Sequence, residues 1–169
     1  MTSSPIIDAK QVELDIDRAK QAVSAEIVGL QALIHDTLNE DFARAVAVMD
    51  AMRDTGQGRL IVTGMGKSGH IARKMAATFA STGMPSVYVH PGEASHGDLG
   101  MITRHDVVIA LSNSGNTAEL NDTLEYCKRF AIPLIAITSG KTSTLAKHAD
   151  IALILPNVAE ACPNGLAPT

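Results

Sequence analysis

Two turns rich in glycine and serine constrain this chain most: residues 62–69 read VTGMGKSG and residues 111–117 read LSNSGNT. Each follows a β-branched run, Leu60-Ile61-Val62 in one case and Val107-Val108-Ile109 in the other, and each precedes an amphipathic helical pattern. Each is therefore a strand–turn–helix junction. Such turns leave backbone N–H groups free at a helix N-terminus, a setting that suits an anion and most often a phosphate. Two such junctions on one sheet point to a small phosphorylated ligand held between them.

The rest of the sequence supplies the frame. From Arg59 onward strand and helix patterns alternate, with strands expected over 59–63, 86–90, 106–111, 133–138 and 151–155 and helices over 68–82, 117–130 and 143–148. Alternation at these lengths implies right-handed βαβ crossovers, hence an α/β domain whose five-stranded parallel sheet carries helices on both faces. Ligands of such sheets sit beyond the carboxyl ends of the strands, where both Gly/Ser turns fall. The palette agrees: of 169 residues 46% are hydrophobic, but only 3% are aromatic and Trp is absent. Ala, Val, Ile, Leu and Met must build the core, as suits a buried parallel sheet under Ala-rich helices.

Ahead of the alternation, residues 8–54 form an N-terminal helical extension. Val12, Ile16, Ala19, Val23, Ile27 and Leu30 recur at helical spacing, and a second helix from Leu38 to about Arg53 carries Phe42, Val46 and Met49. Gly56-Gln57-Gly58 closes the region. The first apolar stripe is long enough to predict packing on the sheet or on another subunit. A net charge of −4 gives no general attraction to nucleic acid or to an anionic membrane, so any basic site must be local. Cys127 and Cys162 are too few and too far apart for a disulfide framework or a zinc motif, and are expected as buried thiols. The start Met1-Thr2-Ser3-Ser4-Pro5 has neither the basic residues nor the apolar run of a signal peptide, and no apolar stretch approaches the ~18 residues of a membrane span. The chain therefore reads as one cytoplasmic domain.

Each motif also has a plainer explanation. Gly64-Met65-Gly66-Lys67-Ser68-Gly69 matches the dinucleotide fingerprint GxGxxG, but the acid required at the end of the second strand is missing, since that strand runs into Val89-His90-Pro91 and Glu93 lies beyond a Pro-Gly turn. Gly66-Lys67-Ser68 imitates a nucleotide P-loop, yet Ile61 occupies the position of its first glycine. Some of these glycines are explained by a tight turn alone. In Ser112-Asn113-Ser114-Gly115-Asn116-Thr117 one hydroxyl would suffice to cap the following helix. Three hydroxyls and two amides make an anion cradle the better reading.

The loop His90-Pro91-Gly92-Glu93-Ala94-Ser95-His96-Gly97-Asp98-Leu99-Gly100 is dense in ionisable groups at the edge where binding residues concentrate. A zinc site from His90, Glu93 and His96 is a weaker alternative, because the Pro-Gly turn breaks helical ligand spacing. Lys67, Glu119 and Glu160 all fall near the carboxyl edge. A phosphate cradle with one lysine and two carboxylates suits proton transfer on a sugar phosphate. Glu119 opens the helix after the Ser-rich turn, where the helix dipole stabilises its negative charge, so Glu160 is assigned the proton and Glu119 the orienting role.

These residues carry a resemblance. From about Arg59 to Thr169 the chain resembles a sugar isomerase (SIS) domain, and more narrowly the arabinose-5-phosphate isomerases. The specific segments are Gly64-Met65-Gly66-Lys67-Ser68-Gly69, His96-Gly97-Asp98-Leu99-Gly100-Met101, and Glu160-Ala161-Cys162-Pro163 with Leu166-Ala167-Pro168-Thr169. The resemblance implies a flavodoxin-like sheet, with Lys67, Glu119 and Glu160 as catalytic residues. It further implies a phosphate cradle at Ser68, Ser112, Ser114 and Thr117, and an active-site loop histidine at His96. Gly66 and Asn113 join the substrate-binding set as members of the same two turns. Family members interconvert arabinose 5-phosphate and ribulose 5-phosphate for the eight-carbon sugar acid of lipopolysaccharide. They use no organic cofactor, and no metal is assigned. They are typically tetramers with sites shared between subunits.

Two departures stand out. Asn116 occupies the position where the family turn usually has Glu. Family members also continue beyond the position of Thr169, through a helical segment that supplies another catalytic histidine and then paired regulatory domains, so the chain reads as the isolated sugar-isomerase domain. The rival to an isomerase is a non-catalytic sugar-phosphate-binding module. A transcriptional version of that module is disfavoured, because no helix-turn-helix candidate or basic patch is present. A nicotinamide-linked oxidoreductase rests on GxGxxG alone.

Overall fold

A computed structural model describes residues 8–162 and Asn164. The chain divides into two compact units, one of residues 36–155 and one of residues 1–35 with 156–169. The larger unit holds the sheet. Its strands are β1 (Leu60–Gly64), β2 (Ser86–Val89), β3 (Val107–Leu111), β4 (Leu134–Thr138) and β5 (Ile151–Ile154). All neighbours pair parallel, in the order β2-β1-β3-β4-β5. Each expected strand is present within a residue or two of its expected bounds.

Period-two alternation divides each central strand between two cores. Ile61, Val108, Ala110, Leu134 and Ala136 face α4 (Pro91–Ala94), α5 (Asn121–Phe130) and α6 (Thr144–His148), packing with Ala94, Leu124, Cys127 and Leu145. Leu60, Val62, Val107, Ile109 and Ile135 face the other way, onto α2 (Glu40–Thr55) and α3 (Gly66–Ser81) through Ala45, Met52, Ala72 and Ala76. Alanine lets a helix backbone lie close to the sheet, so a core nearly without aromatic residues can still pack closely. Burial of this apolar surface is the main favourable term in the fold.

Local signals set the helix ends. Asn39 caps α2 by accepting the N–H of Asp41 at 2.9 Å, with Glu40 and Asp41 in the positive first turn. Gly56 ends it in the left-handed region at φ 65°, donating its N–H to the Arg53 carbonyl. The His90–Gly100 segment, expected as a loop, contains α4 and a 3₁₀ turn over Asp98–Met101. Pro91 stands at the first helical position, where its missing N–H costs nothing, and His90 Nδ1 accepts the N–H of Gly92 at 3.2 Å. At the opposite edge of the sheet, Asp106 is 1% exposed and accepts the N–H groups of Arg59 and Thr103, each at 2.7 Å. That carboxylate ties the entrance of β1 to the loop before β3.

Of the two N-terminal helices, α2 packs on the sheet. The other, α1 (Ala9–Asp36), has no buried residue, and Val23, Leu30 and Ile34 are 56%, 62% and 58% exposed. Within the smaller unit, Gly29 lies against the side chain of Val158. Cys127 is buried as expected, whereas Cys162 is only half-buried. No helix among the described residues is long and apolar enough to cross a membrane.

Candidate active site

The strand order reverses direction between β1 and β3, since β1 continues to β2 on one side while β3 continues to β4 on the other. A crevice forms at the carboxyl edge of such a switch point. Gly64 and Leu111 are paired, so β1 and β3 end level and release their Gly/Ser turns side by side. The structure thus brings together the two turns that the sequence marks.

The first turn enters α3 directly. Gly66 opens the helix at φ 56°, a left-handed conformation that favours glycine. Met65, at the capping position, offers no side-chain acceptor, so the first-turn N–H groups remain free for an anion. Lys67 follows at once and is exposed, and Ser68 is half-buried beside it. Gly69 is buried, and a Cβ there would stand 2.6 Å from the carbonyl oxygen of Gly64.

The second turn is held more tightly. The hydroxyls of Ser112 and Thr117 lie 2.7 Å apart, and Ser112 Oγ also accepts the N–H of Gly115 at 3.0 Å. Ser114 Oγ accepts the N–H of Asn116 at 3.3 Å. Thr117 gives no side-chain cap to the 3₁₀ turn Ala118–Leu120 that leads into α5, and Glu119 stands exposed in that turn. Glu119 and Lys67 have no ion-pair partner among the described residues. His96, just after α4, is likewise exposed.

Residues 139–143, after β4, buttress this second turn. Asn113 accepts through its carbonyl from Ser139 N–H at 3.0 Å and Thr138 Oγ1 at 3.1 Å, while its side-chain oxygen accepts from Ser139 Oγ at 2.8 Å. Asn116 Oδ1 accepts the N–H of Thr144 at 3.0 Å, and the Gly115 carbonyl accepts the N–H of Leu145 at 2.9 Å. A side chain at Gly115 or Gly140 would collide with Ser143 or with the Ser114 carbonyl. In the sequence, Ser139-Gly140-Lys141-Thr142-Ser143 is another Gly/Ser/Thr turn after a strand, the signal by which this support is legible. At Asn116 an amide serves as both acceptor and donor, since its Nδ2 donates to the Ser114 carbonyl at 3.3 Å.

Glu160 is exposed and belongs to the smaller unit. Pro163 and residues 166–169 of the EACP…LAPT signature lie outside the described residues. Among the described residues, no three His, Cys, Asp or Glu side chains are grouped to hold a metal ion. His90, one member of the weaker zinc alternative, turns Nδ1 onto the Gly92 N–H.

The SIS domain family model matches residues 55–169, which include the whole sheet and both turns. The chain belongs to the SIS domain family. It is 50% identical over 155 residues to the arabinose 5-phosphate isomerase KdsD of Francisella tularensis, covering 91% of this chain and 46% of that protein. To the protein of the same name from Escherichia coli K12 it is 48% identical over 162 residues, covering 94% of this chain and 48% of that one. This SIS chain thus spans about half the length of the curated relatives it matches. Among solved structures, an Escherichia coli CFT073 protein in complex with A5P superposes with a TM-score of 0.84 at 41% identity, covering 96% of this chain and 82% of that chain.

Proposed function

We propose that this SIS domain belongs to an aldose–ketose isomerase that interconverts arabinose 5-phosphate and ribulose 5-phosphate. The observation that carries the reading is the pair of level turns at the β1/β3 switch point, one bearing Lys67 and the other leading to Glu119. It is supported by relatives at about half identity that are named arabinose 5-phosphate isomerases, and by a structural neighbour solved with A5P.

In this reading the phosphate sits on the N–H groups at Gly66 and Ser68 and on the hydroxyls of Ser112, Ser114 and Thr117, with Asn113 holding the second turn in shape. Anchoring the phosphate fixes the far end of the sugar, so C1 and C2 are presented to the acid–base groups. A carboxylate, assigned to Glu160, takes the proton from C2 of the aldose. The electron pair left on C2 forms the enediol C1=C2 bond as the carbonyl oxygen at C1 gains a proton. Return of a proton to C1, with loss of the O2 proton, completes the ketose. Lys67 stabilises the oxygen that becomes negative, Glu119 orients the sugar hydroxyls, and His96 contacts the substrate from its loop. The interconversion feeds synthesis of the eight-carbon sugar acid of lipopolysaccharide in the cytoplasm. No organic cofactor takes part.

Solvent deuterium incorporation at C2 of arabinose 5-phosphate tests the assignment in Glu160→Gln and Glu119→Gln variants of the full-length protein. Exchange is expected to be lost in the first and retained in the second, and the opposite pattern reverses the roles. Wild-type protein that binds arabinose 5-phosphate without exchange or turnover would instead support a non-catalytic sugar-phosphate-binding module. The exposed stripe of α1 supports a homo-oligomer, and we assign a homotetramer. Light scattering at micromolar concentration checks it, and a monomer would contradict it.

A further inference from the structure

The first turn is pinned by a residue outside the candidate set. β2 is the edge strand, and its pairing with β1 stops at Thr63 and Val89, one residue short of Gly64. In place of a further ladder bond, Tyr88 of β2 donates its hydroxyl to the Gly64 carbonyl at 2.9 Å. The ring is gripped from the other side, with the Arg73 guanidinium carbon 3.9 Å from its centroid. Arg73 belongs to α3, the helix whose first turn holds Lys67. Tyr88 therefore touches α3 at its second turn and, through Gly64, the turn that launches it. The space is closed from the third side by Gly69, where a Cβ would stand 3.0 Å from the Tyr88 hydroxyl and 2.6 Å from the Gly64 oxygen.

We propose that Tyr88 is a positioning residue for Lys67, its hydroxyl fixing the Gly64 peptide plane and so the direction in which the 64–68 turn and the start of α3 leave the sheet. Gly66 is the soft joint that makes such a pin necessary, because a glycine in the left-handed region has little intrinsic preference for one conformation. With the Gly64 carbonyl released, rotation at that peptide tilts the turn, and a displacement on the order of 1 Å at a catalytic group is enough to cost about a hundredfold in rate. Burial pushes the Tyr88 phenol above its ordinary 10.0, and Arg73 only partly opposes this, so the hydroxyl remains a donor across the neutral range. Arg73 polarises the ring and fills its face, which keeps the phenol aimed at Gly64.

The kinetic side of this proposal rests on the isomerase reading, whereas the pin itself does not. The test is Tyr88→Phe in the full-length protein, which removes the hydroxyl and keeps the ring under Arg73. In ligand-free protein, hydrogen exchange at the Gly69 amide, which closes the first bond of α3 onto the Met65 carbonyl at 3.2 Å, is expected to quicken at least about fivefold. The Leu145 amide that holds the second turn should keep its rate. With arabinose 5-phosphate, kcat is expected to fall at least about tenfold with KM changed less than about threefold, equally at every pH in the neutral range. In a Lys67→Ala background the same substitution should lower kcat by less than about twofold, because the group being aimed is gone. An unchanged Gly69 exchange rate overturns the pin, and it does so whether or not the wild-type protein turns over arabinose 5-phosphate. Quickened exchange with a full additional loss of kcat in the Lys67→Ala background overturns the positioning role and leaves only a structural one.

Discussion

Ser112 Oγ and Thr117 Oγ1 lie 2.7 Å apart across the second turn, so two hydroxyls from opposite ends of one loop are joined by a hydrogen bond. In that arrangement one hydroxyl donates to the other, and the outer donor remains available to a ligand. A phosphate would replace this internal bond with charge-assisted ones. Ser112→Ala with Thr117→Ala should therefore weaken arabinose 5-phosphate binding at least tenfold, as expected if charge-assisted hydrogen bonds of roughly 1.5–3 kcal/mol are lost. Calorimetric affinity within twofold of wild type would remove the turn from the binding site.

Gly115 links the same turn to Ser143. Its φ of 67° lies in the left-handed region, and the space where a Cβ would sit is filled by the Ser143 side chain, with Thr138 Oγ1 2.8 Å away. Neither neighbour can retreat easily, because Ser143 caps α6 through the Ala146 N–H at 3.3 Å and Thr138 is fully buried. Gly115→Ala combines overpacking with backbone strain and is expected to cost about 2–4 kcal/mol. Denaturant melts should show it as a lowered midpoint at unchanged slope, whereas Gly66→Ala, with open space at its Cβ, should cost only the strain of its φ.

Cys127 gives a pH signature to the opposite core. Its side chain is 1% exposed among Leu124, Ile132 and Leu134, and burial, reinforced by the charge of Asp150, pushes the thiol up from 9.0 to about 12. The raised folded value sets the sign. The contribution is fully present below pH 9, where the thiol is protonated in both states, and is lost as the unfolded thiol ionises between about pH 9 and 12. The stability difference between wild type and Cys127→Ala should therefore shift against wild type by about 1.4 kcal/mol per pH unit in that window. Urea midpoints of the two proteins, compared at stepped pH, measure it. A difference independent of pH would show that the thiol is not desolvated.

Much of this architecture is legible in the sequence because its signals are local. The β-branched runs at Leu60-Ile61-Val62 and Val107-Val108-Ile109 mark strands, and glycines at 56 and 66 mark positions of positive φ. The switch point follows from the alternation and from where the Gly/Ser turns fall. What the sequence hides is contact between distant segments. The bonds from Ser139 to Asn113 and from Thr144 to Asn116 arise only once β3 and β4 are aligned, and Asn113 then appears as a brace as well as a candidate ligand residue. Tyr88 is hidden for the same reason: only the β2–β1 register shows that its hydroxyl meets Gly64. The helix at Pro91 is missed by periodicity because four residues carry no period, although the proline at its first position signals it.

Lys67 provides the sharpest separation of structure from chemistry. Its side chain is exposed, and the α3 turn it belongs to is held by Gly64, Gly66 and Gly69 through backbone geometry, not by the ammonium group. Lys67→Ala should accordingly leave the melting temperature of the full-length protein unchanged, since alanine is the best helix former and no buried contact is lost. In the proposed reaction, turnover depends on the charge. An ammonium at a helix N-terminus facing an enediolate oxygen acts with the free N–H groups of the same turn, in a site prepared before the negative charge develops. Removing one such group costs about 100- to 1,000-fold in kcat. Steady-state kinetics on Lys67→Ala, read beside its thermal melt, should show a fall of that order at constant stability. A destabilised protein with intact turnover would place Lys67 in the scaffold instead.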